Sequence, residues 1–324
     1  METLKAKRNP VDVAFRTIIL TILIIYTISI FAVVLWGFIT SFKSQYDLEG
    51  NALGFPQIWE GANKIIVQKY HHCLNFGNYK DIFEHFSYKK AIAYYPLFAT
   101  APVQIAVETD FFGMLGNTLF MAGVASCIQV IVTYSTAYVT AKYKFKFSSF
   151  VYAMVIFIMT IPTIGTTPAT IDLLQKLNLY GRHIGIICMR ACFGGMYYLV
   201  FYAFFEGLPD SYIEAAEIDG ASQLDIFIRI IMPLGFNMIG TVTLLLFVHN
   251  WNDYSMSFVY MPTVPTLAFG IYSLVHNNSE HNGLEKSAPL QMAGCFLLIA
   301  PILTLFIFLK DKLMGNISAG GLKG

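Results

Sequence analysis

Apolar residues run almost unbroken over six stretches of the chain: Thr17–Phe42, Met114–Ala141, Phe150–Ile171, Ile184–Phe205, Gly235–Tyr260 and Leu290–Leu309. At about 1.5 Å rise per residue, each is long enough as a helix to cross the roughly 30 Å hydrocarbon core of a bilayer. The pattern therefore predicts an all-α, polytopic membrane protein with six transmembrane helices. The first run is uncharged, too long for the core of a signal peptide and without a clear small-residue cleavage site, so it is expected to stay as the first span. Between the first two runs, residues 44–110 turn polar and aromatic, with prolines and glycines breaking any spanning stretch, and read as an external insert. The organisation expected is residues 1–43 as amino terminus and first span, 44–110 as insert, 111–312 as a five-helix core, and 313–324 as a tail.

A second polar interlude, residues 208–234, has the sequence LPDSYIEAAEIDGASQLDIFIRIIMPL. Ser211 with Glu214, and Ser222 with Asp225, have the spacing of capping boxes, so two helix starts are written about eleven residues apart. Gly220 lies between them, where a left-handed residue would end the first helix. Pro233 is expected to keep the second from running on into the next span. The product is a helix–turn–helix knob too short to cross a membrane. Ala215 and Ala216 are expected to leave one side of the first arm bare for close approach by another surface. Glu214, Glu217 and Asp219 offer acidic groups to basic partners.

Charge orients the chain. Lys142, Lys144, Lys146, Arg229, Lys310, Lys312 and Lys323 fall on the side of the basic amino end, against Lys176, Arg182 and Lys286 on the other. The knob and both termini are therefore expected in the cytoplasm. With 56% hydrophobic and 13% charged residues and a net charge of +1, the chain is too apolar for a soluble domain and has no basic footprint for nucleic acid. Five scattered cysteines argue against a disulfide framework, and His71, His72 and Cys73 lack a fourth ligand at useful spacing, so no metal site is expected.

The knob closely resembles the coupling motif of ABC importer permeases: Glu-Ala-Ala, three residues, Gly, nine residues, Ile, one residue, Leu, Pro. Glu214, Ala215, Ala216, Gly220, Ile230 and Pro233 fall on that pattern, with Met232 in place of its leucine. The LNFGNYKDIF segment from Leu74 and FFGMLGNTLFMAGVAS from Phe111 resemble the entry to the second helix of sugar-importer permeases, and the closing MGNISAGGLKG resembles the ending of the maltose type. The insert is longer than is usual in that family. The resemblance implies a type I ABC importer permease fold in a bacterial cell membrane. It also implies coupling to a cytoplasmic ATPase through Glu214, Ala215, Ala216, Asp219, Gly220 and Pro233. The partners it implies are a homologous second permease, two ATPase subunits and an external sugar-binding protein. No P-loop occurs, so no cofactor and no catalytic residue is expected on this chain, and ATP would be bound and hydrolysed by the partner.

Ionisable groups at membrane depth are costly and mark functional positions. Arg190 and Asp253 both fall roughly 10 Å below the outer surface by residue count, so they can meet. Around Asp253 the sequence HNWNDY offers Asn250, Trp251 and Asn252, an aromatic face beside amides, which suits a sugar. Two readings stay open: these residues line the substrate path, or Arg190 and Asp253 form an ion pair that holds two helices in register. Pro162, Gly165, Pro168 and Pro301 read either as hinges or as tolerated kinks, and Asn117 and Gln291 as interhelical hydrogen-bonding groups. The competing functions are an ion-gradient-driven secondary transporter, an intramembrane enzyme built on His249 and Asp253, and an ABC permease for a non-sugar solute. The first needs intramembrane carboxylates along a relay, and only Asp253 is clearly mid-helix.

Overall fold

The structure is a computed structural model, and it describes residues 10–60, 67–72, 74–94, 103–143, 145–161, 165–276 and 286–317. The elements in chain order are α1 (Pro10–Thr40), α2 (Gln45–Gly50), β1 (Gln57–Glu60), β2 (Val67–His72), α3 (Gly77–His85), β3 (Ser87–Tyr94) and β4 (Val103–Asp110). There follow α4 (Phe111–Lys142), α5 (Lys146–Thr160), α6 (Thr166–Lys176), α7 (His183–Arg190), α8 (Gly195–Glu206), α9 (Ser211–Ile218) and α10 (Gln223–Ile226). A π turn (Phe227–Ile231) leads to α11 (Met232–Leu234), α12 (Phe236–Asn252), α13 (Tyr254–Val259), α14 (Leu267–His276) and α15 (Ala288–Ile317). Pro162, Cys73, the side chains of His71 and His72, and the last residues of the tail lie outside what is described.

Two compact units divide the chain. One comprises residues 1–84 and 285–297, the other 85–284 and 298–324. In the first, the end of α1 packs on the first turns of α15 through Phe38 and Phe296, whose rings meet edge to face at 5.3 Å. Beyond it Phe42 is buried against Phe76 and Tyr79 of the insert. Lys43 is buried there with its ammonium on the carbonyls of Asn51 and Ala52.

In the second unit α4 is the central post. Its buried positions recur at helical spacing, from Met114, Thr118 and Met121 to Val130, Tyr134, Ala137 and Tyr138, and α7, α8, α12 and α14 pack around it. The aromatic core at its lower end brings Tyr134 and Tyr138 against Phe201 and Phe205 of α8.

Among the described residues three helices are long and apolar enough to cross a membrane, Ala14–Thr40, Phe111–Lys142 and Ala288–Phe308, or five with two bent pairs counted as spans. The expected run Phe150–Ile171 is broken: α5 stops at Thr160, and Gly165, left-handed at φ 83°, opens α6. Ile184–Phe205 is also not continuous. Gly194 and Gly195, at φ 139° and 71°, take conformations that side chains resist, and the chain bends 48° between α7 and α8.

Nor is the chain all-α. The insert carries two antiparallel hairpins, β1–β2 and β3–β4, the second in unbroken register from Ser87 opposite Asp110 to Tyr94 opposite Val103. Its two faces differ: Tyr88 and Val107 are buried, while Lys89 and Glu108, paired across the strands, meet on the outer face at 2.5 Å. Helix α14 (Leu267–His276) is a further element beyond the six apolar runs. It is buried on most sides, and a side chain at Gly270 would run into the Met114 sulfur.

Candidate functional site

The knob forms, with its parts placed differently from expectation. The first arm, α9, does not use the Ser211–Glu214 box. It starts on Asp210, whose carbonyl accepts from the backbone N–H of Ile213 and Glu214 at 2.9 and 3.0 Å. With a helical backbone, Asp210 cannot turn its side chain onto that first turn; its carboxylate goes instead to Lys142, at 2.6 Å. The other end is a Schellman closure. Gly220 sits at φ 78°, its N–H reaches the Glu217 carbonyl at 3.0 Å, and the N–H of Ala221 reaches that of Ala216 at 3.0 Å.

The second arm does use its box. Ser222 accepts from the Asp225 N–H at 3.2 Å and donates its hydroxyl to the Asp225 carboxylate at 2.6 Å. That bond, with Arg229 one turn on at 3.3 Å, holds the Asp225 carboxyl below the usual carboxylate range. Pro233 does not end this arm, which continues to Leu234; the 74° bend into α12 comes at Gly235. Lacking an N–H, Pro233 cannot bond to the carbonyl one turn back, which its ring would strike. The helix is wound wider just before it, as the π turn Phe227–Ile231.

The two alanines part company. Ala216 is buried in the core with Ile226 and Ile231, whereas Ala215 is exposed. Glu214, Ala215, Ile218 and Asp219 are exposed on the first arm and Leu224 on the second, Ile218 at 85% and Leu224 at 67%. The knob thus exposes two large apolar side chains and two acidic ones. Gln223 ties the arms together by donating to Glu217 at 2.7 Å.

On the bundle side, α4 and the residue after it hold the knob at three places. Lys142, its side chain 7% exposed, donates to the Leu208 carbonyl at 2.5 Å as well as to Asp210. Tyr143 donates its hydroxyl to Gln223. Tyr134 donates to the Ile231 carbonyl at 2.7 Å, over a bare Gly235 where a methyl would lie 2.1 Å from the tyrosine oxygen.

Deeper in the bundle Arg190 and Asp253 do meet, at 2.6 Å, both about 15% exposed. Each sits at a helix break. Arg190 ends α7, where the helix dipole favours a cation. Asp253 caps α13, its second oxygen taking the N–H of Ser255 and of Met256. Asn250 donates to Ser126 at 2.9 Å, Asn252 is exposed and donates to its own helix, and Asn117 donates to the Pro265 carbonyl at 3.0 Å. Trp251 is fully buried and its indole N–H goes to the Leu298 carbonyl at 3.0 Å, so its flat face is closed to a ligand in this conformation. The cavity beside Arg190, Asn250 and Asp253 is about 20 Å³, room for a water and far too little for a sugar ring. His249 is exposed.

Comparison with known proteins places this arrangement. The family described as binding-protein-dependent transport system inner membrane component matches residues 129–318. The chain is similar to an arabinooligosaccharide transport system permease protein of Halalkalibacterium halodurans, 26% identical over 211 residues, 64% of this chain and 73% of that one. It is similar to a melibiose/raffinose/stachyose import permease protein of Bacillus subtilis, 26% identical over 212 residues, 64% of this chain and 75% of that one. A maltodextrin transport system permease protein of the same organism is 27% identical over 222 residues, 67% of this chain and 77% of that one. Among solved structures, the crystal structure of a bacterial ABC transporter involved in the import of the acidic polysaccharide alginate superposes with a TM-score of 0.70. That likeness covers 95% of this chain and 99% of the other at 16% identity.

Proposed function

The chain belongs to the family of binding-protein-dependent transport system inner membrane components, and from that premise we propose that it is the permease subunit of an ATP-driven importer of sugars or oligosaccharides. It is a transport component and not an enzyme. In the proposed assembly it forms half of a translocation path with a homologous second permease, two cytoplasmic ATPase subunits and an external sugar-binding protein. Six spans are proposed: α1, α4, α5 with α6, α7 with α8, α12 and α15. Both termini and the knob face the cytoplasm, a reading supported by the sorting of Lys142, Lys146 and Arg229 to one side.

The observation that carries the proposal is the knob itself: two capped arms presenting Glu214, Ala215, Ile218, Asp219 and Leu224, with their backs set in the aromatic core. An apolar centre with acidic neighbours suits a groove lined by apolar and basic groups. Closure of the ATPase dimer would move the knob and reshape the bundle from inward-facing to outward-facing. The Arg190–Asp253 pair, with Asn250 on Ser126, is proposed to hold helices in register rather than to bind cargo. The pairing also leaves Asp253 poorly suited to the proton or ion relay that a gradient-driven carrier needs.

The test is co-purification and turnover. Glu214→Lys, or Gly220→Leu at its left-handed position, is expected to reduce the ATPase retained by the permease and the ATP hydrolysis stimulated by loaded binding protein. The permease itself should still extract and migrate as wild type. Full stimulated turnover in both variants would refute the coupling role.

A further inference from the structure

The knob is joined to the bundle both along the chain and from the side. The chain enters through Gly207, Leu208 and Pro209, and it leaves through a π turn and a 74° bend at Gly235. A π-bulge and a glycine are the usual places where a helix departs from a straight course. The lateral attachment is made by side chains of α4 and the residue after it. Lys142, in the last turn of α4, puts one ammonium on both the Leu208 carbonyl, at 2.5 Å, and the Asp210 carboxylate, at 2.6 Å, and so holds the entry to the first arm from two sides. Its side chain is only 7% exposed while that of Asp210 is 67% exposed, so the lysine is the fixed member of the pair and Asp210 the one carried by the arm. The Asp210 side chain makes no cap bond to α9.

We propose that Lys142 is the positioning residue that makes the first arm and α4 move as one body, so that force arriving at the knob enters the bundle through α4 and not through the flanking chain. Tyr134 on Ile231 and Tyr143 on Gln223 secure the second arm to the same stretch of helix. Residues 134–143 thus grip both arms, and α4 in turn packs along both α8 and α12. The proposal rests on the coupling role given to the knob and adds the route by which the load leaves it. A charged side chain suits that task better than apolar contact alone, because a charge-assisted hydrogen bond is directional and short.

The experiment uses the permease purified with its ATPase, in a background lacking the native cysteines, with spin labels at Leu119→Cys on α4 and Ser211→Cys on the first arm. Leu119 lies about 35 Å along α4 from Lys142, so the pair falls in the measurable range. Distances are recorded without nucleotide and after trapping with ATP and vanadate. The expected result is one narrow distance, unchanged by trapping, in the parent and in Lys142→Arg, with a distribution that broadens and shifts on trapping in Lys142→Gln. ATPase should be retained in all three. A Lys142→Gln distance indistinguishable from the parent in both states would overturn the proposal, as would a parent distance that itself shifts on trapping. Failure of the parent permease to retain any ATPase would instead bring down the coupling role, and this proposal with it.

Discussion

Gly235→Ala tests how tightly the knob and α4 fit together. The backbone at Gly235, φ −88° and ψ 1°, lies in a negative-φ region that other residues also adopt, so no left-handed strain opposes the substitution. It is the space that is missing. A methyl there would lie 2.1 Å from the Tyr134 oxygen, 2.8 Å from Cζ and 2.9 Å from Cε2. The ring cannot swing aside, because Phe201 and Phe205 stand edge-on to it at 5.1 and 4.8 Å and Phe227 lies beyond. Overpacking costs about 1–3 kcal/mol. If the hydroxyl is pushed from the Ile231 carbonyl, a buried donor is left without an acceptor, at about 1–3 kcal/mol more. The Ile231 carbonyl keeps the Gly235 N–H, so its own loss is small. Against this stands a gain of about 0.4–1 kcal/mol from a less flexible unfolded chain, leaving a net loss of roughly 1–6 kcal/mol. Unfolding by SDS titration in mixed micelles, followed by circular dichroism, measures it. Adding Tyr134→Phe removes the atom at 2.1 Å and should recover part of the loss, so that the two changes together cost less than their sum. Wild-type stability of Gly235→Ala, or strict additivity of the pair, would show that the contact is not as close as described.

The two serines of the knob offer a paired comparison: Ser222→Ala should destabilise the second arm by about 0.5–2 kcal/mol, while Ser211→Ala should change almost nothing because α9 makes no cap bond with it. Hydrogen exchange over residues 211–231 reads both, and equal effects would contradict the assigned caps. Arg190→Met should cost about 3 kcal/mol by leaving Asp253 buried and unpaired, and Arg190→Met with Asp253→Asn should regain much of it, since the asparagine oxygen can still cap α13. Thermal melts of the purified permease compare the two, and a double variant no better than the single would remove the pairing from the account.

What the sequence made legible was set by local physics. Long apolar runs announced α1, α4 and α15, a glycine after acidic and apolar turns announced the end of α9, and Ser222 with Asp225 announced the start of α10. Counting residues from the outer surface was enough to bring Arg190 to Asp253. The misses share a cause, which is that tertiary surroundings chose between locally equivalent options. Ser211 was as good a cap as Ser222 until Lys142 engaged Asp210. Trp251 looked like a sugar platform until α15 covered it. The alternation in Val103–Asp110 is a weak signal in a stretch dense with aromatics, and Leu267–His276 is too short to be read as a span. Breaks at Gly194 and Gly165 replaced straight spans because a glycine in a helical run shows no sign of its φ until the chain folds.

The widened turn before Pro233 has a consequence for how the knob is aimed. A helix that takes up one residue more than its regular winding turns everything upstream by about 100° relative to everything downstream. The proline, exposed on the surface, thereby sets the azimuth at which Leu224 and its neighbours look away from the bundle. Relaxing that turn would leave composition and charge untouched and still point the same side chains at the wrong quadrant, so the compass bearing of this surface is written several residues away from it.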